Sequence, residues 1–385
     1  MTRYGDGLVV GGDLLAAAEQ ATAQALAPLG GSPPDLVAVF VGGGTPEDVA
    51  AVGERVHALS RPAAMVGCGA GGVVGGRRGV EELPAVSVWA AVLPGAVLRT
   101  FHLEVLQADG GSAVVGLPER AAGDEVVLLL ADPWSFPVDG FVARSHEVLA
   151  GLPVVGGLAQ GPAGAGSTRL LLDGRAVDRG AVGVVLTGTG ARTLVSQGCR
   201  PVGPAMTVTR AAGNLLLELA GQGALARVEQ VLRDLPPEEQ ALASAGLHLG
   251  IAADEHPEEL DLLVRAILGA DRDTGGLVVG DLVEVGQTVR LQVRDADAAD
   301  AELRRLLVRA RGGGPPVGGA LLFTCNGRGR ALFGPGHGGA DHDPQVVGET
   351  LAPQGLGGFF AGGEIGPVAG RNHLHGFTAS LLLLP

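Results

Sequence analysis

Three cysteines carry most of the chemistry that this 385-residue sequence displays. Cys68 stands in Val66-Gly67-Cys68-Gly69-Ala70-Gly71-Gly72, Cys199 in Ser196-Gln197-Gly198-Cys199-Arg200, and Cys325 in Phe323-Thr324-Cys325-Asn326-Gly327-Arg328. Each follows an apolar run and sits among glycines, which places each in a glycine-rich loop just past a buried strand. A free thiol in such a place is either a small packed hydrophobe, part of a pocket wall, or a nucleophile that needs a neighbouring base; His373 and His375 could supply one. Thiolates also hold zinc, but no two of these cysteines have C-x-x-C spacing, so no metal ligand is assigned. No catalytic residue and no cofactor is assigned either.

The neighbours of the cysteines extend the pattern. Arg200 and Arg328 are suited to two-pronged binding of a carboxylate, or to an ion pair, which for Arg328 would involve Glu364. Glu364 lies among glycines in an apolar segment, where an acid must be paired or protonated. It could read a ligand amine, pair with Arg328, or act in proton transfer. Asn326 and Asn372 offer both donors and acceptors. The run Gly67–Gly72 fits G-x-G-x-x-G, but a dinucleotide site needs a helix to begin there, and Val73-Val74-Gly75-Gly76-Arg77-Arg78-Gly79 cannot open one. The amides of Gly69, Ala70 and Gly71 then either converge on an anion or simply turn the chain. His337-Gly-Gly-Ala-Asp341-His342-Asp343 has metal-like residues, but Asp343-Pro344 reads as a helix cap and start. Trp134, after Asp132-Pro133, either stacks over a ligand or anchors a core.

The elements that would position these residues follow from apolar patterning and cap chemistry. Residues 13–29 form an alanine-rich helix that the glycines and prolines at 30–34 break. Residues 35–41 are a fully apolar strand. Thr45 is then an N-cap, Pro46 suits the first helical turn, and Glu47 and Asp48 favour its positive end. Strands follow at 63–67 and 85–93. The same grammar returns as strand 125–131, helix 138–149, strand and glycine loop 154–161 and strand 180–186. It returns again as strand 319–324, helix 343–351, strand 357–360, glycine loop 361–366 and strand 374–384. We therefore expect an α/β, β-sheet-rich chain of two domains with repeated strand–helix–strand units. In α/β folds ligands gather at the carboxyl ends of strands, so a pocket shared by the loops is the physical expectation. Between the second and third units, 207–219, 247–252, 262–267, 277–279 and 288–293 read as strands, and 222–235 and 297–310 as helices.

Composition narrows the class. The net charge is −14, with no lysine at all, which disfavours a nucleic-acid or anionic-membrane surface. No apolar stretch approaches the ~18–20 residues that span a bilayer, and the start lacks a secretory pattern. Three well-separated cysteines do not make a disulfide scaffold. The expectation is a cytoplasmic protein.

Taken together, the segments 66–72, 196–203, Leu263-Val264-Arg265, Arg294-Asp295-Ala296, 323–329, 358–367 and 372–375 resemble the FIST family, in the order of an N-terminal and a C-terminal FIST domain. The resemblance covers nearly the whole chain and implies domains at 1–212 and 213–385. It implies a bacterial sensory protein of signal transduction whose partners are a small ligand, with amino acids as candidates, and a signalling protein. With the loop grammar, it implies a ligand site at the domain junction lined by Cys68, Gly69, Ala70, Gly71, Gln197, Cys199, Arg200, Cys325, Asn326, Arg328, Glu364 and Asn372.

Overall fold

A computed structural model describes residues 1–108, 111–161, 164, 166–252 and 262–385. It is mixed α/β and sheet-rich, and the strand–helix–strand unit occurs three times. The first repeat comprises β1 (Arg3–Val10), α1 (Leu14–Leu26), β2 (Leu36–Gly42), α2 (Pro46–Ser60), β3 (Ala64–Ala70), β4 (Gly72–Gly75), β5 (Arg78–Glu81) and β6 (Ala85–Val92). The second comprises β7 (Val97–Ala108), β8 (Gly111–Val115), β9 (Asp124–Ala131), α3 (Val138–Val148), β10 (Val154–Leu158), β11 (Leu170–Leu172), β12 (Arg175–Val177) and β13 (Ala181–Thr187). The third begins with β14 (Arg192–Gln197) and then breaks off. There follow β15 (Cys199–Ala212), β16 (Leu215–Leu219), β17 (Gln222–Gly223), α4 (Ala224–Asp234), α5 (Pro237–Ala245), β18 (Leu247–Ala252), β19 (Leu262–Asp271), β20 (Gly276–Val279), β21 (Thr288–Arg294) and α6 (Ala296–Gly312). The third repeat resumes as β22 (Gly319–Cys325), α7 (Gly329–Leu332), α8 (His342–Leu351), β23 (Gly355–Ala361), β24 (Glu364–Val368), β25 (Arg371–His375) and β26 (Thr378–Leu384).

Two compact units result: Met1–Ser196 with Leu303–Leu374 and Thr378–Pro385, and Gln197–Glu302 with His375–Phe377. In the first, each repeat contributes a parallel pair joined by its helix: β2 with β3, β9 with β10, and β22 with β23. An antiparallel closing strand, β6, β13 or β26, flanks each pair. The hairpins are exchanged in a cycle. Hairpin β4–β5 of the first repeat adds to β23 of the third. Hairpin β11–β12 of the second adds to β3 of the first. Hairpin β24–β25 of the third adds to β10 of the second. Each sheet is thereby completed by a strand that another repeat supplies, so no repeat can satisfy its second parallel strand alone.

The three sheets share one apolar core, in which Phe40 stacks on Phe359 at 5.0 Å between ring centroids and Phe323 meets both edge-on. Helices cover the outward faces: α1 and α2 on the first sheet, α3 on the second, α6 and α8 on the third. Register makes Gly67, Gly156 and Gly358 equivalent, opposite Val39, Leu129 and Leu322. A side chain at any of the three would collide with the carbonyl oxygen of that opposing residue.

This corrects one expectation. The glycines around Cys68 do not form a loop: Cys68 lies within β3, fully buried in the shared core, at the position that Gly157 and Phe359 occupy in the other repeats. Glycine in these strands marks close backbone approach. Asp343 is likewise not the cap of α8, since Asp341 holds that position and Asp343 lies in the first turn. The apolar run 374–384 is two strands rather than one, and the run 207–219 is a hairpin of β15 and β16 turning at Gly213, where φ is 62°.

The second unit is antiparallel. Its strands run in the order β15-β21-β18-β19-β20-β16, and β16 pairs back onto β15, closing a six-stranded barrel. Val202, Val208, Leu219, Leu249 and Leu291 fill it together with α4 residues Val228 and Val231.

Candidate functional site

In the first unit, the ends of the parallel strands from all three repeats are laced together. Gln160 donates its amide to Gly69 O at 3.0 Å, and Leu158 donates to Gly363 O at 2.8 Å. Asn326 donates to Ala361 O at 2.9 Å, and its side-chain amide reaches Gln160 Oε1 at 3.5 Å. Gly71 has no side chain because Gln160 occupies that space. The motifs around Gly69–Gly71 and Cys325–Arg328 therefore meet through a residue of the second repeat. The sequence reading placed Gln160 in a loop but did not single it out. Its place beside Gly161 at the end of a buried strand was the available signal.

Beside this junction lies a cavity of about 390 Å³ at the start of α2. Its walls are Gly43–Pro46, Gly69–Gly71, Glu82–Pro84, Gln160, Gly161, Ser167 and Thr168. Thr168 Oγ1 donates to Gln160 O at 3.3 Å, and among the described residues the buried Ser167 Oγ has no hydrogen-bond partner. The helix end is already occupied. Thr45 and Asp48 form a reciprocal capping box, which holds the Asp48 carboxyl below its ordinary range through the Thr45 amide and hydroxyl. With Glu47 also in that first turn, the macrodipole is complemented by the chain itself. The cavity therefore presents hydroxyls, an amide and the Glu82 acid rather than an anion hole.

Behind Asn326 lies a buried polar cluster. Glu364 is fully buried, and its Oε2 accepts from Thr378 N at 3.1 Å and Thr378 Oγ1 at 2.9 Å. Burial pushes its carboxyl up to about 8, against the opposing pull of Thr378, the Cys325 thiol and the Arg328 charge. Burial thus favours the protonated carboxyl over the carboxylate at this position. Arg328 is also fully buried. Its Nε and Nη2 reach Asp343 Oδ2 at 2.7 Å and Oδ1 at 2.9 Å, and its charge also acts on Glu364. Asp343 further accepts from Thr324 Oγ1 at 2.6 Å and contacts His342 Nδ1 at 2.9 Å. Burial raises the Asp343 carboxyl, but the Arg328 guanidinium and His342 more than reverse this and hold it well below the usual range. With both prongs of its fork on Asp343, Arg328 holds the fold together from this position.

The remaining candidates have separate places. Asn372 is buried, accepts from Val154 N at 2.8 Å, and donates to Ser145 Oγ and Leu152 O, both at 3.0 Å. Its amide thus fastens the exchanged hairpin of the third repeat to the second. Cys325 ends β22, its Sγ 3.4 Å from Gly327 N. Gln197, Cys199 and Arg200 belong to the second unit, where Arg200 pairs with Glu239 at 2.8 Å and Asp295 at 2.9 Å. Burial moves the Cys68 thiol far above its ordinary range. Trp134 is exposed. Among the described residues no three His, Cys, Asp or Glu side chains are grouped to hold a metal, and no helix is long and apolar enough to cross a membrane.

Comparison with known proteins gives this architecture relatives. The family model of the FIST N domain matches residues 35–222, and that of the FIST C domain matches residues 224–367. The uncharacterized protein Rv0628c of Mycobacterium tuberculosis is 45% identical over 387 residues, covering 99% of each chain. The uncharacterized protein Mb0898c of Mycobacterium bovis is 43% identical over 386 residues, covering 99% of this chain and 98% of the relative.

Proposed function

The chain belongs to the FIST family, whose domains serve generally in sensing and signal transduction, and from that premise we propose that it senses a small polar metabolite in the cavity lined by Thr45, Gly69–Gly71, Gln160, Gly161, Ser167 and Thr168. The observation that carries this reading is the position of that cavity. It opens where the strand ends of one repeat face a segment of another, and Gln160 ties its wall to Asn326 of the third. Occupancy there would be felt by all three repeats. Its volume lies at the small end of the range for small-molecule sites, which fits a ligand of amino-acid size. The lining favours a neutral or cationic group: Glu82 supplies negative charge, Gln160, Ser167 and Thr168 supply donors and acceptors, and among the described residues no arginine lines it. A ligand carboxylate held by Arg328 or Arg200 has no support, because both arginines are committed to acids. In this reading the protein works in the cytoplasm and passes its state to a protein partner.

Isothermal titration against amino acids, amines and neutral polar metabolites tests the proposal. A ligand that binds wild-type protein should bind Gln160→Ala and Thr168→Val at least tenfold more weakly, each change removing hydrogen bonds worth ~1.4 kcal/mol or more to a desolvated ligand. Binding that both variants leave intact would move the site elsewhere, and a panel without any binder would remove the small-ligand reading.

A further inference from the structure

A second cavity, of about 900 Å³, lies in the same unit. Like the first, it forms where the strand-to-helix connection of one repeat faces the hairpin segment of another: residues 330–341 of the third repeat against β5 of the first. In the second repeat, Phe136, Leu158, Ile365 and Leu374 belong to one apolar cluster. The two cavities differ in chemistry.

The larger one carries Arg78 on β5 and Arg330 on α7, both exposed. Neither guanidinium donates a hydrogen bond or forms an ion pair within 4 Å with a described residue. Gln20 and Gln24 of α1 offer amides from a third wall, and Val80, Phe333 and Ala340 supply an apolar floor. Two acids are present, and each is engaged by backbone. Glu81 Oε2 accepts from Arg330 N at 2.8 Å, and Asp341 Oδ1 accepts from Gly79 N at 2.8 Å. Burial raises the Glu81 carboxyl, against the opposing pull of the Arg330 amide and charge.

We propose that this cavity is a second ligand site, selective for a small molecule with two or more oxyanion groups, with Arg78 and Arg330 as its clamps. A planar guanidinium matches carboxylate and phosphate oxygens in the same two-pronged geometry, so phosphate esters and polycarboxylates share the required chemistry. The volume accommodates a ligand larger than the first cavity could hold. In a chain of net charge −14, anion binding has to be local to such a site rather than a property of the surface.

The test is titration of the full chain with pyrophosphate and with citrate at low ionic strength. At least one should bind, and which of them does so separates the phosphate from the carboxylate source. Arg78→Ala and Arg330→Ala should each weaken it roughly tenfold or more. Arg77→Ala, next in sequence but outside the cavity, and Thr168→Val in the smaller cavity should leave it unchanged. Because both arginines are exposed, their removal should not alter the unfolding midpoint, which checks that a loss is not misfolding. Failure of both anions to bind, or equal binding by the Arg78→Ala/Arg330→Ala double variant, overturns the proposal. Neither result bears on the metabolite site, whose variants are separate.

Discussion

Replacing Glu364 with glutamine should make the protein more stable, increasingly so as pH rises. Its carboxyl is pushed from an ordinary 4.5 up to about 8 by burial. Between those values the unfolded chain has given up the proton and the folded chain has kept it. The folded state therefore binds more protons, and stability must fall as pH rises through this window. The span is 8 − 4.5 = 3.5 pH units, and at ~1.4 kcal/mol per unit the loss approaches ~5 kcal/mol at alkaline pH. Glutamine is permanently neutral, keeps an oxygen to accept from Thr378, and carries no such term. The difference between Glu364→Gln and wild type should thus be small near pH 5, grow with a slope of about one proton, and level off above pH 8. Denaturant unfolding followed by fluorescence is the assay, since Trp89 is buried and donates to Gly355 O at 3.2 Å. Every other titrating group is common to both proteins and cancels in the difference. A difference that stays flat from pH 5 to 9 would refute the reasoning, because Glu364 would then be ionised in the fold or solvated.

Three further outcomes follow from the same geometry. Asp343→Asn leaves the Arg328 charge buried without its partner and should cost ~3–5 kcal/mol in thermal unfolding, part of which Arg328→Met in the same chain restores; a loss below ~1 kcal/mol would mean the pair is not buried as described. Gly358→Ala, at φ 148° with its Cβ directed into Leu322 O, should yield insoluble or molten protein, whereas Gly370→Ala, with open space around it, should fold with a strain of ~1 kcal/mol. Brief iodoacetamide treatment of native protein, read by peptide mass spectrometry, should modify the partly exposed Cys199 first and leave the buried Cys68 untouched until denaturation; early labelling of Cys68 would contradict its place in the core.

Much of the local structure was legible along the chain because its causes are local. The apolar run 36–41 could only be a buried strand, and Thr45-Pro46-Glu47-Asp48 carries its own helix start, which the capping box bears out. The repeated grammar and the FIST motifs followed from the same short-range patterns. The cysteines were less legible. A strand buried on both faces has no alternation to show which way a side chain points, so glycines that permit close backbone approach looked like loops around Cys68. Asp343 was read through its neighbour Pro344, while its partner Arg328 lies 15 residues away across a helix connection.

What the sequence determined by itself, then, was the repeating unit, the Thr45 cap and the family, since each depends on residues within one turn or one strand of each other. Which hairpin completes which sheet was decided only in three dimensions. Each repeat exposes the same kind of strand edge, and short hairpins such as β4–β5 or β11–β12 carry no local signal that selects among three similar edges. Long-range packing makes that choice, and with it brings Gln160 to Asn326 and opens the two cavities beside the exchanged segments.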